Sequence, residues 1–174
     1  MRWWWGALAL GGLISGGVAR AADVAAPQNV KAEPSTPRSA ELSTRSATAE
    51  MQGNPSYSLK LADDAIRANP KDPWPYYDKG MALARVGQID SALAALYAAE
   101  QHFAASDRYG RSVAVFGRAH ALSEAGRCDE AEKAYNEYAS LVPEDAGSVA
   151  IAHRYAADCK PPAAAPASIP IPAE

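Results

Sequence analysis

The chain has 174 residues, of which 17 are basic and 20 acidic, so its formal net charge at pH 7 is −3. Lys and Arg do not cluster, and an acidic protein repels phosphate backbones, which excludes a nucleic-acid-binding protein as an interpretation. Its two cysteines and three histidines show no metal-ligand spacing. We therefore predict neither a metal site nor a cofactor.

Residues 1–21 have the features of a secretory signal peptide. Arg2 precedes an uncharged apolar run, residues 3–18, which is shorter than the roughly 20 residues that span a membrane. The run ends at residues 19–21, a small-x-small pattern typical of signal cleavage. We predict an exported protein, periplasmic or secreted, that starts at Ala22 and has no membrane span after cleavage. An uncleaved segment that anchors the protein in the membrane is the alternative.

Proline-rich segments flank the middle of the chain. Residues 22–38 contain three prolines and no apolar period, which indicates a flexible linker. The Pro- and Ala-rich residues 161–174 favour extended conformations and predict a disordered tail. A docking peptide for a proline-reading groove is the alternative interpretation of this tail.

Residues 39–160 predict an all-α domain. Ala and other helix-forming residues dominate this range, and the alternating β-branched pattern of a strand does not occur. Helix-breaking residues leave helical segments of about 12 to 16 residues. The breaks fall at Gly53-Asn54-Pro55, residues 70–73, Gly87, Gly110, Gly126 and Pro143.

A repeated pattern of small and large residues predicts that these helices form pairs. Gly80 lies on a first helix that Gly87 ends, and Ala92 and Leu96 lie on a second helix. Two helices approach closely only where one of them presents Gly or Ala, so we expect the pair to cross at Gly80 and Ala92. The pattern recurs once further along the chain and once before it, at Ala119, Leu122, Gly126, Ala131 and Tyr135 and at Gly53, Ser58, Ala62 and Ala65.

This pattern resembles the tetratricopeptide repeat (TPR) family, whose Trp-like, Leu-Gly, Tyr, Ala, Phe and Pro positions recur over about 34 residues. The resemblance covers residues 39–143 and implies a right-handed α-solenoid of about three helix pairs. The step from Gly87 to Gly126 is longer than one repeat, and we place the extra residues between 102 and 111. Lys79 departs from the pattern at the Leu position. The alternative is an irregular helical bundle. The matching residues are Tyr76, Gly80, Leu83, Ala92, Leu96 and Ala99.

The two ends of the solenoid differ in how they are covered. The leading helix of the first pair, residues 41–51, offers little to bury beyond Leu42, Ala47, Ala49 and Met51. A final helix within residues 144–159 is expected to cap the last pair, with a packing face of Val149, Ile151, Ala152 and Tyr155.

The two cysteines are predicted to form a disulfide bond. Cys128 begins the second helix of the third pair, and Cys159 ends the capping helix. Antiparallel packing of these two helices would bring the cysteines together, and export would expose them to an oxidising compartment. Two buried free thiols are the alternative.

The sequence shows no arrangement of residues that would form an active site. Catalysis needs a nucleophile with a base, a metal cluster or converging carboxylates, whereas the carboxylate pairs here are adjacent on helices and point apart. We therefore predict a non-catalytic scaffold or adaptor that binds a partner protein or peptide. A structural or envelope-associated spacer held by its tails is the alternative, and an enzyme is the least favoured class.

The resemblance also implies where a partner would bind, because the first helices of each pair line the concave face. Aromatic residues, Met and Arg are typical anchors of protein interfaces. The residues expected to point inward are Trp74, Tyr77, Met81, Arg85, Val113, Phe116, His120 and Glu124.

Some members of the family hold a terminal carboxylate of a partner with a ladder of Lys, Arg and Asn. At the matching positions this chain has side chains that cannot donate as that ladder requires, so such a clamp is not expected. These positions are Ser43, Ala47, Asp78, Val113 and Gly117.

Overall fold

The structure, a computed structural model, describes residues 35–161. These residues form seven helices and contain no strand, which confirms the all-α prediction. The predicted signal peptide, most of the predicted linker and nearly all of the predicted tail lie outside the described residues. The helices are α1 (Pro37–Met51), α2 (Pro55–Ala68), α3 (Pro73–Arg85), α4 (Ile89–His102), α5 (Arg108–Glu124), α6 (Cys128–Leu141) and α7 (Ala146–Asp158).

The first helix starts slightly earlier than the sequence predicts. The hydroxyl of Thr36 accepts a hydrogen bond from the amide of Ser39, and Pro37 occupies the first helical position. A side-chain cap followed by proline is a favourable start for a helix. The last two residues of the predicted linker, Pro37 and Arg38, are therefore helical.

Three glycines end the first helix of each pair. Gly53, Gly87 and Gly126 have φ angles of 74°, 77° and 69°, a left-handed conformation that glycine adopts without steric cost. After α3, the amide of Gln88 donates to the carbonyl of Leu83 at 3.0 Å, which closes the helix end. The predicted helix stops are confirmed at all three positions.

The helices pair as predicted and stack in two rows. Consecutive helices pack as α1 with α2, α3 with α4 and α5 with α6, and α7 covers α6. The first helices α1, α3 and α5, together with α7, also contact each other in succession, and we call them the inner row. Within residues 35–161, the backbones of the second helices α2, α4 and α6 do not approach one another closely; we call these helices the outer row.

Small residues allow the helices of a pair to cross closely, as the sequence predicts. A Cβ atom placed on Gly80 would lie 2.5 Å from Cγ of Leu96 and 3.2 Å from the carbonyl oxygen of Ala92. Ala92, Ala119 and Ala131 are completely buried. The pairs are thus held together by contacts between small and large side chains.

The extra residues of the longer second step lie where they are predicted, mainly as one more turn of helix. Helix α5 has 17 residues and α3 has 13. Gly110, predicted to break the chain between helices, lies instead in the first turn of α5. A Cβ atom at this position would overlap the ring of Phe103, so glycine serves close packing here.

The predicted packing face of α1 is wrong at Ala47 and Met51, which are exposed, Met51 by 53%. This helix buries Ala49, as predicted, together with Ser39 and Ser46. Ser39 Oγ donates to Asp72 Oδ2 at 2.6 Å, and Ser46 Oγ donates to the carbonyl of Ser58 at 2.9 Å. Helix α1 is therefore attached largely by hydrogen bonds, which a pattern of apolar residues does not reveal.

The capping helix α7 is present, but one residue of its predicted packing face is wrong. Ala152 is completely buried, and Val149 and Tyr155 are partly buried. Ile151 is 38% exposed, because no further helix follows α7 among the described residues.

The predicted disulfide bond joins Cys128 to Cys159, whose Cα atoms are 5.6 Å apart. Cys128 begins α6 and Cys159 follows the last residue of α7. The bond therefore fastens the capping helix to the last pair.

Candidate protein-binding surface

The eight residues expected to face a partner all lie on two neighbouring helices of the inner row. Trp74, Tyr77, Met81 and Arg85 follow one another along α3, and Val113, Phe116, His120 and Glu124 follow one another along α5. Arg85 and Glu124 are exposed, Phe116 is buried, and the other five are partly buried. The structure thus brings most of them to one surface, which we call the inner face.

Trp74 and Tyr77 are held by aromatic contacts at one end of this face. The ring of Trp74 lies edge-on to Phe103, with centroids 5.1 Å apart, and edge-on to Tyr77 at 6.2 Å. Burial raises the pKa of Tyr77 above its usual value, chiefly through loss of hydration. Both rings are therefore fixed in orientation, and Tyr77 remains a neutral phenol.

Gly117 lets α3 and α5 approach at the centre of the inner face. A Cβ atom on Gly117 would lie 3.0 Å from the ring of Tyr77 and 3.3 Å from the sulfur of Met81. These two side chains of α3 therefore rest against the backbone of α5 and form the floor between the helices. From the sequence, Gly117 is predicted only to be unable to bind a carboxylate of a partner. Its role in the close packing of α3 against α5 depends on the neighbouring helix and is visible only in the structure.

Phe116 belongs to the hydrophobic core and not to the surface offered to a partner. It is 5% exposed. Its ring lies edge-on to three tyrosines of α6 and α7, with centroid distances of 5.7, 5.1 and 6.1 Å to Tyr135, Tyr138 and Tyr155. The capping helix brings Tyr155 over this ring, and helical spacing within α5 gives no sign of that.

His120 and Glu124 lie where α5 meets the capping helix. The ring of His120 lies edge-on to Tyr155 at 6.2 Å, and its Nδ1 is 3.7 Å from Glu124 Oε2. Glu124 is the more exposed of the pair. This end of the inner face thus offers a carboxylate beside an imidazole.

A polar strip connects α1 to α3 on the same face. Ser43 Oγ donates a hydrogen bond to Asp78 Oδ2, and Arg85 pairs with Glu50. Burial, with smaller contributions from the nearby carboxylates of Asp72 and Glu50, raises the pKa of Asp78 from 3.8 to about 7, although the hydrogen bond from Ser43 lowers it. Asp78 is thus a carboxyl group of this surface whose pKa lies well above its ordinary value. The spacing of residues in the sequence does not predict this shift.

Exposed side chains recur at one repeat position along the rim of the inner face. Met51, Arg85 and Glu124 lie at the ends of α1, α3 and α5, each at the same place before a glycine stop. All three are exposed. The rim therefore carries an apolar, a basic and an acidic group in succession.

Residues 35–161 contain neither a candidate membrane-spanning helix nor a candidate metal site. No helix in this range combines the length and apolar character needed to cross a bilayer. The same range contains no group of three or more His, Cys, Asp or Glu side chains placed to hold a metal ion.

Comparison with known proteins identifies the repeat. Residues 61–94 match the family model described as tetratricopeptide repeat. These residues include most of α2, all of α3 and the start of α4. No curated protein matches the chain.

Several solved structures share the fold at low sequence identity. The first TPR of Spaghetti (RPAP3), bound to HSP90 peptide SRMEEVD, is 17% identical with a TM-score of 0.57, and the match covers 69% of this chain and 94% of that one. The TPR2B domain of yeast Sti1, in a complex with Hsp70, is 15% identical with a TM-score of 0.60 over 70% and 98%. A MamA RS-1 double mutant is 18% identical with a TM-score of 0.54 over 70% and 67%.

Proposed function

Because this chain belongs to the tetratricopeptide-repeat family, we propose that it is a non-catalytic, exported scaffold or adaptor that binds a partner protein or peptide on its inner face. The observation that carries the proposal is the open inner face of α1, α3 and α5. Solved domains of the same fold are bound to peptides of HSP90 and Hsp70, which supports a peptide or protein as the partner.

The chemistry of the inner face favours a partner with both apolar and polar groups. Trp74 and Met81 offer partly buried apolar surface on α3, and the rim adds Met51, Arg85 and Glu124. Aromatic and methionine side chains surrounded by polar ones resemble the centre and rim of protein interfaces. A segment that lies across α1, α3 and α5 would contact all three kinds of group.

Export of the protein is part of the proposal. The signal-like residues 1–21 motivate it, and the bond between Cys128 and Cys159 supports an oxidising compartment such as the periplasm. A membrane-anchored form with an uncleaved N-terminal segment is the alternative. Mass spectrometry of the protein from the envelope fraction distinguishes the two, since a cleaved chain begins at Ala22 and an anchored one retains the signal-like segment.

Site-specific photo-crosslinking tests the binding surface. A photo-reactive phenylalanine analogue at Met51, on the rim of the inner face, should form an adduct with the partner in intact cells. The same analogue at Tyr57, which is 42% exposed on α2 of the outer row, is the matched control. Both positions are exposed, and the analogue at Tyr57 removes only a surface hydroxyl that accepts a hydrogen bond from Arg45, so the helices should stay intact in both variants.

A double substitution tests whether the inner face contributes to affinity. Met51→Ala/Glu124→Ala removes two exposed groups, and we expect a lower yield of the adduct formed from a probe at Val113. Tyr57→Ala should leave that yield unchanged. Equal adducts from positions 51 and 57, or full adduct yield from the double variant, would contradict binding at the inner face.

A further inference from the structure

A basic residue recurs at one position of the three first helices α1, α3 and α5. Arg45, Lys79 and Arg118 each lie at the same place before the glycine that ends their helix. Each side chain reaches toward the outer row and donates a hydrogen bond to a second helix. The pairs are Arg45 with Tyr57 at 2.9 Å, Lys79 with Asp63 at 2.9 Å and Arg118 with Tyr97 at 2.8 Å.

The gap between α4 and α6, which we call the closed seam, is filled by side chains around Arg118. The guanidinium carbon of Arg118 lies 4.4 Å from the ring centroid of Tyr97. Its Nη2 is 2.6 Å from Glu137 and 3.7 Å from Glu100. Arg118 is only 7% exposed, and a cation so poorly hydrated needs such partners.

The equivalent gap between α2 and α4, which we call the open seam, lacks these partners. When the repeats are aligned on their glycine stops, the positions that correspond to Tyr97, Glu100 and Glu137 are Asp63, Ile66 and Ala98. All three line a groove of about 650 Å³, together with Lys79 and Leu83 of α3. An aromatic ring and two glutamates are thus replaced by shorter or apolar side chains, and the space they fill in the closed seam stays open.

Lys79 has fewer partners than its counterpart in the closed seam. Its ammonium group pairs with Asp63, and its side chain is 35% exposed. An ammonium group has three protons to donate, whereas Arg118 engages a phenol and two carboxylates. The open seam therefore presents a cation with remaining hydrogen-bonding capacity in a groove whose lining is apolar at Leu59, Ile66 and Leu83 and polar at Arg67, Gln88 and Ser91.

We propose that the open seam binds a partner segment that presents a phenol ring next to a carboxylate. The ring would cover Lys79 as Tyr97 covers Arg118, and the carboxylate would pair with the ammonium group as Glu137 pairs with the guanidinium. Leu59, Ile66 and Leu83 provide the apolar contacts that a ring needs. The groove lies on the outer row, so this inference does not rest on the function proposed for the inner face.

A pair of small molecules tests the chemistry of the groove. Titration of 3-(4-hydroxyphenyl)propionate, a phenol with a carboxylate, into the ¹⁵N-labelled full chain should shift the amide resonances of Lys79, Ala95 and Ala98. Tyramine, which has the same ring but an ammonium group, should bind at least about tenfold more weakly, a difference of about 1.4 kcal/mol.

Substitutions that exchange the two seams give a sharper test. Asp63→Tyr places in the open seam the residue that occupies the closed one, and it should abolish the shifts by filling the groove from within. Asp63→Asn is the matched control, because it keeps the groove open and removes a competing carboxylate, so binding should persist or strengthen. Tyr97→Asp should open the closed seam and create a second set of shifts near Arg118.

The proposal is overturned by any of three results. They are the absence of shifts in the natural protein at millimolar concentrations, shifts that persist unchanged in Asp63→Tyr, and equal binding of tyramine. Circular dichroism of each variant verifies that the helices are intact, so a loss of binding can be attributed to the groove.

Discussion

Single small residues determine how closely the helices pack. Gly80 and Gly117 each lie where a side chain of a neighbouring helix occupies the space that a Cβ atom would need. Gly147, in the first turn of α7, has only Asp145 Oδ1 near that position, at 3.5 Å. Glycine is therefore required at position 80, a methyl group at position 117 would need its neighbours to move by a few tenths of an ångström, and glycine is merely tolerated at position 147.

Gly80→Ala should lower the free energy of unfolding by about 1–3 kcal/mol, the usual cost of overpacking a core. Leu96 and the backbone of α4 would have to move to admit the methyl group. Urea unfolding followed by circular dichroism measures the change. Gly147→Ala is the control and should be neutral or slightly stabilising, since alanine favours a helix. Equal stability of both variants would show that α3 and α4 do not cross closely at Gly80.

Asp78 should make the stability of the protein decrease as the pH rises. Its pKa is raised to about 7 in the folded state, above its value of about 4 in an unfolded chain. The folded protein therefore holds a proton that the unfolded chain has lost between about pH 4 and pH 7, and the free energy of unfolding falls across that range by at most about 1.4 kcal/mol per pH unit.

Asp78→Asn should remove this contribution and flatten the pH dependence of stability. Asp158→Asn, at the exposed end of α7, is the control and should leave the dependence in place. Urea midpoints at several values between pH 5 and pH 8 provide the measurement. An unchanged slope in Asp78→Asn would mean that Asp78 ionises normally in the folded protein.

At the scale of helices, the two ends of the stack are attached in different ways. Helix α1 is docked by side-chain hydrogen bonds from Ser39, Ser43 and Ser46. Helix α7 buries only Ala152 completely but is fastened by the disulfide bond to Cys128. The middle helices α3 to α6 contain most of the buried apolar residues and should open last in hydrogen exchange.

Cys128→Ala/Cys159→Ala should lower the free energy of unfolding by about 3–4 kcal/mol, the amount that the chain-entropy model assigns to a loop of this length. Amides of α7 should exchange faster than those of α3 in this variant. Reduction of the natural protein should have the same effect, and reductant should not change the double variant. Equal protection of α7 with and without the bond would show that apolar packing alone holds the cap.

At the scale of the molecule, residues 35–161 share the fold of a solved TPR domain that is bound to a peptide, but they lack the ladder of Lys, Arg and Asn that holds a carboxylate in some tetratricopeptide-repeat proteins. The five positions of that ladder lack Lys, Arg and Asn, and one of them is Asp78, whose side chain already accepts a hydrogen bond from Ser43. Glu50, which lies nearby, is already paired with Arg85. A peptide that ends in several carboxylates would find no cationic donor at these five positions.

The peptide SRMEEVD should therefore not bind detectably to this chain in isothermal titration calorimetry at micromolar concentrations. The first TPR of Spaghetti, whose structure contains this peptide, serves as the positive control in the same buffer. Binding of comparable strength to both proteins would contradict the assignment of the inner face to another class of partner.

Much of the architecture follows from the sequence because its signals are local and repeat. Glycine stops at Gly53, Gly87 and Gly126 require only the conformational freedom of one residue, and the pairing of Gly80 with Ala92 requires only helical geometry. The bond between Cys128 and Cys159 follows from antiparallel packing of two consecutive helices. The sequence by itself thus determined the helix pairs, their order and the covalent link at the end.

The tertiary structure decided which side chains are available on each face. Phe116 is buried among three tyrosines of α6 and α7, and Met51 is exposed although the sequence pattern places it on the packing face of α1. The open and closed seams differ through residues on three helices at once. Burial depends on every neighbour that surrounds a residue, whereas a sequence period describes only the helix to which that residue belongs.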